Sequence, residues 1–291
     1  MNTIPPSELL INNDGSIFHL HMLPEQLADK IILVGDPGRV ELIAQYLEDI
    51  ESRCQNREFH SLTGHYKNKR VTVVSTGIGC DNIDIVLNEL DALANIDFNQ
   101  RCVKSQLRQL EIVRIGTCGG LQEYTPEGSF IASQMSIGFD GLLNFYGRRD
   151  EVCDTQAEKE FLSHMQWKDA QCIAHPYVVN ADEELLQRIA ETDMVKGITV
   201  SCGGFYGPQG RQLRIPLADP LQNKKIETYI YQGLHVTNFE MESSAVAGLS
   251  KLLGHKAMTC CMVIANRIAG KAMVDYQQRM HGLIRTVLER I

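Results

Sequence analysis

Hydrophobic runs rich in Ile and Val recur along this chain, and most of them end in glycine. KIILVGDP (30–37), RVTVVSTGIG (70–79), EIVRIGTCGG (111–120) and KGITVSCGG (196–204) share that form, while AMTCCMVIAN (257–266) ends on Asn266 instead. Unbroken apolar runs of this length, bounded by turn residues, mark strands buried on both faces. Helical patterns lie between several of them. Residues 40–50 predict one helix, and residues 242–253 predict another that Gly254 stops. The last helix is the clearest, because Met280, Leu283, Ile284, Val287, Leu288 and Ile291 fall on one face. Those six predict a core-facing stripe without chemistry of its own. Strands alternating with helices predict an α/β fold, a mixed and mostly parallel central sheet flanked by helices on both faces. Ligands bind such sheets at the carboxyl ends of the strands, where these glycines fall.

No internal repeat, low-complexity tract or linker divides the 291 residues, which predict a single domain with residues 1–16 as an N-terminal extension. The most polar connection, 97–110, reads as a helical or looped excursion within it. At 44% hydrophobic and 22% charged residues, composition is that of a globular protein. No apolar run approaches the roughly 18 residues needed to cross a bilayer, and the N-terminus lacks a signal-peptide layout. Nine cysteines without a CxxC pair argue against zinc and fit reduced thiols in the cytoplasm. The His19-Leu20-His21 pair has no third ligand to make a metal site of it. A net charge of −8 argues against nucleic acid, and neither nucleic acid nor membrane is expected as a partner. An anionic substrate would have to be held by local arginines.

Several strand ends supply them. GDPGR (35–39) opens a helix after an apolar strand, so backbone amides and Arg39 can hold an anion there. The stretch is neither a Walker A loop nor a GxGxxG loop. RIGTCGG (114–120) puts Arg114 inside an apolar strand, three residues before Thr117. A buried arginine must meet either an acid or an anionic ligand, and a structural salt bridge competes with an oxyanion pocket. In NFEMES (238–243), Glu240 and Glu242 flank Met241 at a strand-to-helix break. Such a pair could serve as acid and nucleophile, accept hydrogen bonds from sugar hydroxyls, or cap the helix. FYGPQGR (205–211) sets a glutamine and an arginine two positions apart beside two aromatic rings. Alone, it would read equally as a surface turn.

Taken in order, GDPGR, the STGIG of 75–79, RIGTCGG, FYGPQGR and NFEMES resemble the nucleoside phosphorylase superfamily of trimeric and hexameric type. The resemblance runs from about Phe18 to the C-terminus and is strongest to the uridine-cleaving branch. It implies that Gly35, Arg39, Arg114 and Thr117 bind phosphate, joined by Arg57 from a neighbouring subunit. It implies that Met241 and Glu242, with Glu240 beside them, contact the ribose, and that His19 crosses between subunits to the ribose 5′-hydroxyl. Phe205 would pack on the base, Gln209 and Arg211 would read uracil, and Arg267 and Gly119 would complete the base pocket.

The implied reaction is reversible phosphorolysis of uridine to uracil and ribose 1-phosphate, in pyrimidine salvage. Inorganic phosphate is then the co-substrate, and no organic cofactor is implied. A carbonyl, an N–H and a second carbonyl on uracil match one amide and one guanidinium. Donors on those carbonyls would also bind the charge that develops as the glycosidic bond breaks. Purine members carry an acid after the penultimate strand, where VIANRIAG (263–270) has none. A purine phosphorylase, a nucleosidase using water and a silent nucleoside-binding protein are the competing readings. A monovalent cation, potassium in some relatives, would sit between subunits near Glu58, Ile78 and Asn82, although Asn82 replaces the usual serine. Residues acting across subunits imply a homodimer at least, with a homohexamer as the larger option. The chain is longer than bacterial relatives around 97–110 and 145–170. Preference among uridine, deoxyuridine and thymidine depends on pocket shape and is not legible.

Overall fold

In the computed structural model, which describes residues 3–167, 173–273 and 275–291, the first apolar run forms β1 (Lys30–Val34). The chain turns at Gly35 into α1 (Pro37–Ala44). Asp36 caps this helix by accepting the Gly38 amide hydrogen at 2.8 Å, and Pro37 fills the first turn, where an N–H is not needed. The helix expected over 40–50 is therefore displaced. It ends at Ala44, and β2 (Glu48–Asn56) has begun by residue 48. β2 lies at a sheet edge and alternates exposed with half-buried positions, so no apolar run announces it. It pairs antiparallel with β3 (Phe59–Tyr66), which pairs antiparallel with β4 (Lys69–Ser75).

After α2 (Cys80–Asn95), the 97–110 excursion holds only a small hairpin, β5 (Ile96–Asp97) with β6 (Cys102–Val103), and is otherwise irregular rather than helical. The N-terminal segment clasps this hairpin. The Ile4 amide donates to the Arg101 carbonyl at 2.7 Å, the Arg101 guanidinium donates back to the Ile4 carbonyl at 2.9 Å, and Leu9 is buried. β7 (Glu111–Gly120), β8 (Phe130–Gly138), α3 (Thr155–Met165), β9 (Tyr177–Asn180), α4 (Glu183–Ile189) and β10 (Val195–Ser201) follow. Of the 145–170 stretch, residues 168–170 lie outside the described residues. The chain ends with α5 (Gln222–Thr228), β11 (Ile230–Tyr231), β12 (Leu234–Glu240), α6 (Ser243–Leu252), β13 (Lys256–Asn266), β14 (Lys271–Ala272) and α7 (Gln277–Arg290).

The sheet is mixed. β1 pairs parallel with β4 and β7, β7 with β13, and β10 with both β8 and β12. Antiparallel pairs add β2 and β3 at one end and join β13 to β8. β12 also pairs with the last residues of β7, Asn238 with Gly120 and Phe239 with Gly119. The path β12–β10–β8–β13–β7 thus closes on itself into a ring. Successive residues of β1 feed opposite faces, as the period of two requires. Ile31 and Leu33 pack with α2 and α6, whereas Ile32 and Val34 pack with α1, α4 and α7. The predicted stripe on α7 is buried as expected, from Met280 to Ile291. No helix among the described residues is long and apolar enough to cross a membrane.

Candidate active site

A cavity of about 710 Å³ opens where β1, β7, β12 and β13 end. The end that carries Arg39 and Arg114 is built on β1, α1 and β7. Arg39, in the first turn of α1, is buried and donates to the Ile115 carbonyl at 3.2 Å. Burial first, and then the neighbouring Arg114, push its pKa down. Arg114 is 4% exposed and sits between two carboxylates, 3.2 Å from Glu240 and in direct contact with Glu242. Those charges hold the guanidinium protonated against the cost of burial. Its side chain lies across Gly116, where an added Cβ would come within 2.2 Å of Nη1 and 2.9 Å of Cys261 Sγ. Gly116 is therefore needed for the room it leaves. Gly35 and Thr117 line the cavity beside the two arginines.

The glutamates divide the work. Glu240 accepts from Ser201 Oγ at 2.5 Å and from the amides of Glu242 at 2.8 Å and Ser243 at 2.9 Å. It thus fixes both Arg114 and the start of α6. Glu242 accepts from the Gly79 amide at 2.7 Å, with Arg114 on its other oxygen. Burial first, with Glu240 beside it, raises its pKa against the pull of Arg114 and the Gly79 amide. Met241, half-buried between them, lines the cavity.

The other end hangs on the loop after β10, which carries Phe205, Gln209 and Arg211. Phe205 is 50% exposed, and the Arg211 guanidinium lies 3.8 Å from its ring centroid. Arg211 donates to the Phe205 carbonyl at 2.7 Å and contacts Gln209 Oε1. Gln209 is buried, and its amide reaches the Glu240 carbonyl at 3.5 Å. Arg267, at the exit of β13, donates to the Gly210 carbonyl at 3.1 Å, and its Nη1 is buried without a hydrogen-bond partner among the described residues. Burial, with Arg267 nearby, pushes the Arg211 pKa down to about 10. Gly119 lies under both side chains.

Three predicted site residues lie outside this cavity's lining: Arg267, whose contacts are given above, His19 and Arg57. His19 is held by Glu89, which accepts its backbone N–H at 3.0 Å and sits 2.7 Å from its Nδ1. Arg57 is exposed at the β2–β3 turn with a φ of 53°. Glu58, Ile78 and Asn82 do line the cavity, and no cluster of three His, Cys, Asp or Glu side chains suited to a metal occurs among the described residues. The sequence reading missed Asp36, Phe239, Ile264, Ala265 and Tyr276, all of them in the lining. Four lie inside stretches that were read, Asp36 in GDPGR, Phe239 in NFEMES, and Ile264 and Ala265 in VIANRIAG, so their places beside assigned residues were available as a signal. Tyr276 had none.

Fold and site together define an α/β protein with one cavity that has two buried arginines at one end and a glutamine and an arginine beside an aromatic ring at the other. The chain belongs to the phosphorylase superfamily, whose family model matches residues 29–289. It is 30% identical to a nucleoside phosphorylase of Trypanosoma brucei whose crystal structure is described as showing uridine phosphorylase activity. That match has a TM-score of 0.86 and covers 97% of this chain and all of the other. A uridine phosphorylase of Thermococcus kodakarensis is 26% identical, with 89% of this chain and 80% of the relative covered. A purine nucleoside phosphorylase of Bacillus subtilis is 24% identical over 94% of this chain and 98% of its own length.

Proposed function

We propose that this protein catalyses the reversible phosphorolysis of uridine to uracil and ribose 1-phosphate. One observation carries the reading. A single cavity has two buried arginines at one end and a glutamine–arginine pair beneath an aromatic ring at the other. Relatives named as uridine phosphorylases support it, as does the absence of any acid from VIANRIAG (263–270), where a purine enzyme would need one.

Phosphate is the co-substrate, held by Gly35, Arg39, Arg114 and Thr117. Glu242 and Met241 fix the ribose, while Glu240 keeps Arg114 in place. A phosphate oxygen attacks the anomeric carbon, and the bond from that carbon to N1 of uracil breaks towards the base. Its electron pair spreads onto the ring carbonyls, where Gln209, Arg211 and Arg267 meet the charge with donors. The proton carried by phosphate is, in net, the one that uracil gains at N1. Positioning and charge stabilisation supply the rate, and no protein nucleophile is required.

Arg57 and His19 complete the site of a neighbouring subunit, which makes the assembly a homodimer at least and a homohexamer in its larger form. Glu89 occupies Nδ1 of His19 and leaves Nε2 for the ribose 5′-hydroxyl. Glu58 and Asn82, beside Ile78, offer the oxygen donors that a monovalent cation takes. Cys54, Cys80, Cys118, Cys153, Cys202, Cys260 and Cys261 are free thiols, in keeping with the reducing cytoplasm.

The test is product analysis with uridine, with and without inorganic phosphate, and with inosine in parallel. Uracil and ribose 1-phosphate are expected from uridine only when phosphate is present. Cleavage of inosine instead would overturn the base assignment. No turnover of either would leave a nucleoside-binding protein.

A further inference from the structure

Tyr276 lies outside every motif in the sequence, yet it lines the same cavity as Arg39. It immediately precedes α7, and its place follows from how that helix lies along α1. Tyr46, just beyond the end of α1, and His281, within α7, share a hydrogen bond at 2.5 Å. Their rings meet edge to face with centroids 5.8 Å apart. Leading back towards the two helix starts, one chain reaches Arg39 and the other reaches Tyr276. Both residues line the same cavity.

The polar groups around it are already engaged. Asp36 caps α1, Arg39 donates to the Ile115 carbonyl, and Arg114 is gripped by Glu240 and Glu242. The half-buried Tyr276 makes no hydrogen bond through its hydroxyl among the described residues. An anion resting on the two arginines would find there a neutral donor. Such a donor adds a hydrogen bond without adding to the repulsion between Arg39 and Arg114.

We propose that the Tyr276 hydroxyl donates a hydrogen bond to the bound phosphate and is a further phosphate-binding residue of this site. The proposal rests on the phosphorolytic reading of the cavity. It gives the anion a contact from the residue before α7, in addition to the strand ends that carry Gly35 and Thr117. The nucleophile is then held from two directions when it turns an oxygen towards the sugar.

Calorimetric titration of the intact assembly with inorganic phosphate alone tests this, because it needs no turnover. Tyr276→Phe is expected to weaken phosphate binding about tenfold, the scale of one hydrogen bond to a charged group. In turnover assays the KM for phosphate should rise by a similar factor while the KM for uridine stays within about twofold. Tyr46→Phe removes the hydrogen bond between the helices but no phosphate donor, and should leave phosphate affinity unchanged. Phosphate affinity in Tyr276→Phe equal to that of the wild type would overturn the proposal while sparing the arginine site. An equal loss in Tyr46→Phe and Tyr276→Phe would overturn it in favour of helix packing. Wild-type protein that binds no phosphate would overturn both this proposal and the phosphorolytic reading.

Discussion

At the anion end Arg114 is gripped inside the sheet by two buried carboxylates, whereas at the base end Arg211 and Arg267 rest on backbone carbonyls and one glutamine. The first arrangement fixes a charge in low dielectric, where any misplacement is costly. The second keeps two like charges close together and half-buried, and burial first, then Arg267, depresses the pKa of Arg211. A tightly held end suits a co-substrate that never changes. On the proposed reading the loosely held end meets the base, and here it is a loop rather than a strand that carries Phe205, Gln209 and Arg211.

The comparison breaks most easily at Arg114. Arg114→Met leaves Glu240 and Glu242 buried without their partner, so a loss of about 3–5 kcal/mol of stability is expected together with loss of phosphorolysis. Denaturant unfolding and steady-state kinetics would register both. An undiminished stability would mean that the carboxylates do not depend on Arg114 as drawn.

Arg211→Ala is the matching change at the other end. Removing a donor to the developing charge should lower kcat/KM for uridine by about 10²–10³. The affinity for phosphate and the midpoint of thermal unfolding should hardly move, because burial already opposes this charge. Equal losses in uridine turnover and phosphate affinity would show that the two ends are not separable.

The finest distinction is in pH. Burial raises the Glu242 pKa, so the carboxyl takes up a proton at a higher pH than an ordinary glutamate would. Protonation removes an acceptor and loosens Arg114, so kcat/KM for uridine should fall as pH drops, with a midpoint above the usual 4.5. A folded-state pKa raised in this way favours the folded form on protonation, so activity should decline before stability does. In Glu242→Gln that acid limb should vanish from the pH profile, while overall activity is lower.

The strands were legible because five of them are apolar runs buried on both faces, and α7 because its stripe has the helical period. β2 was not, since an edge strand with polar alternation carries no such run, and the helical reading of 40–50 overran it. Of the site, the arginines could be read as strand-end chemistry. What Arg114 touches could not, because Glu240 and Glu242 arrive from the far half of the chain and only the pairing of β12 with β7 brings them near. For ribose and base the resemblance to a family supplied only expectations of role. It could not supply Gly116, whose glycine is required by a guanidinium rather than by a turn. Nor could it supply Tyr276, which stands where it does because α7 lies beside α1.

The ring formed by β7, β12, β10, β8 and β13 has a bearing on inheritance. The strand that ends in Gly119 and Gly120 and the strand that ends in Glu240 are each other's neighbours at its seam, so neither can be exchanged without opening the ring. A site made this way cannot be assembled from borrowed fragments, as it could on a fold where each loop stands alone. Descendants of this chain can alter it by single side chains, or by rebuilding the loop that hangs outside the ring, and the segment from Phe205 to Arg211 is that loop.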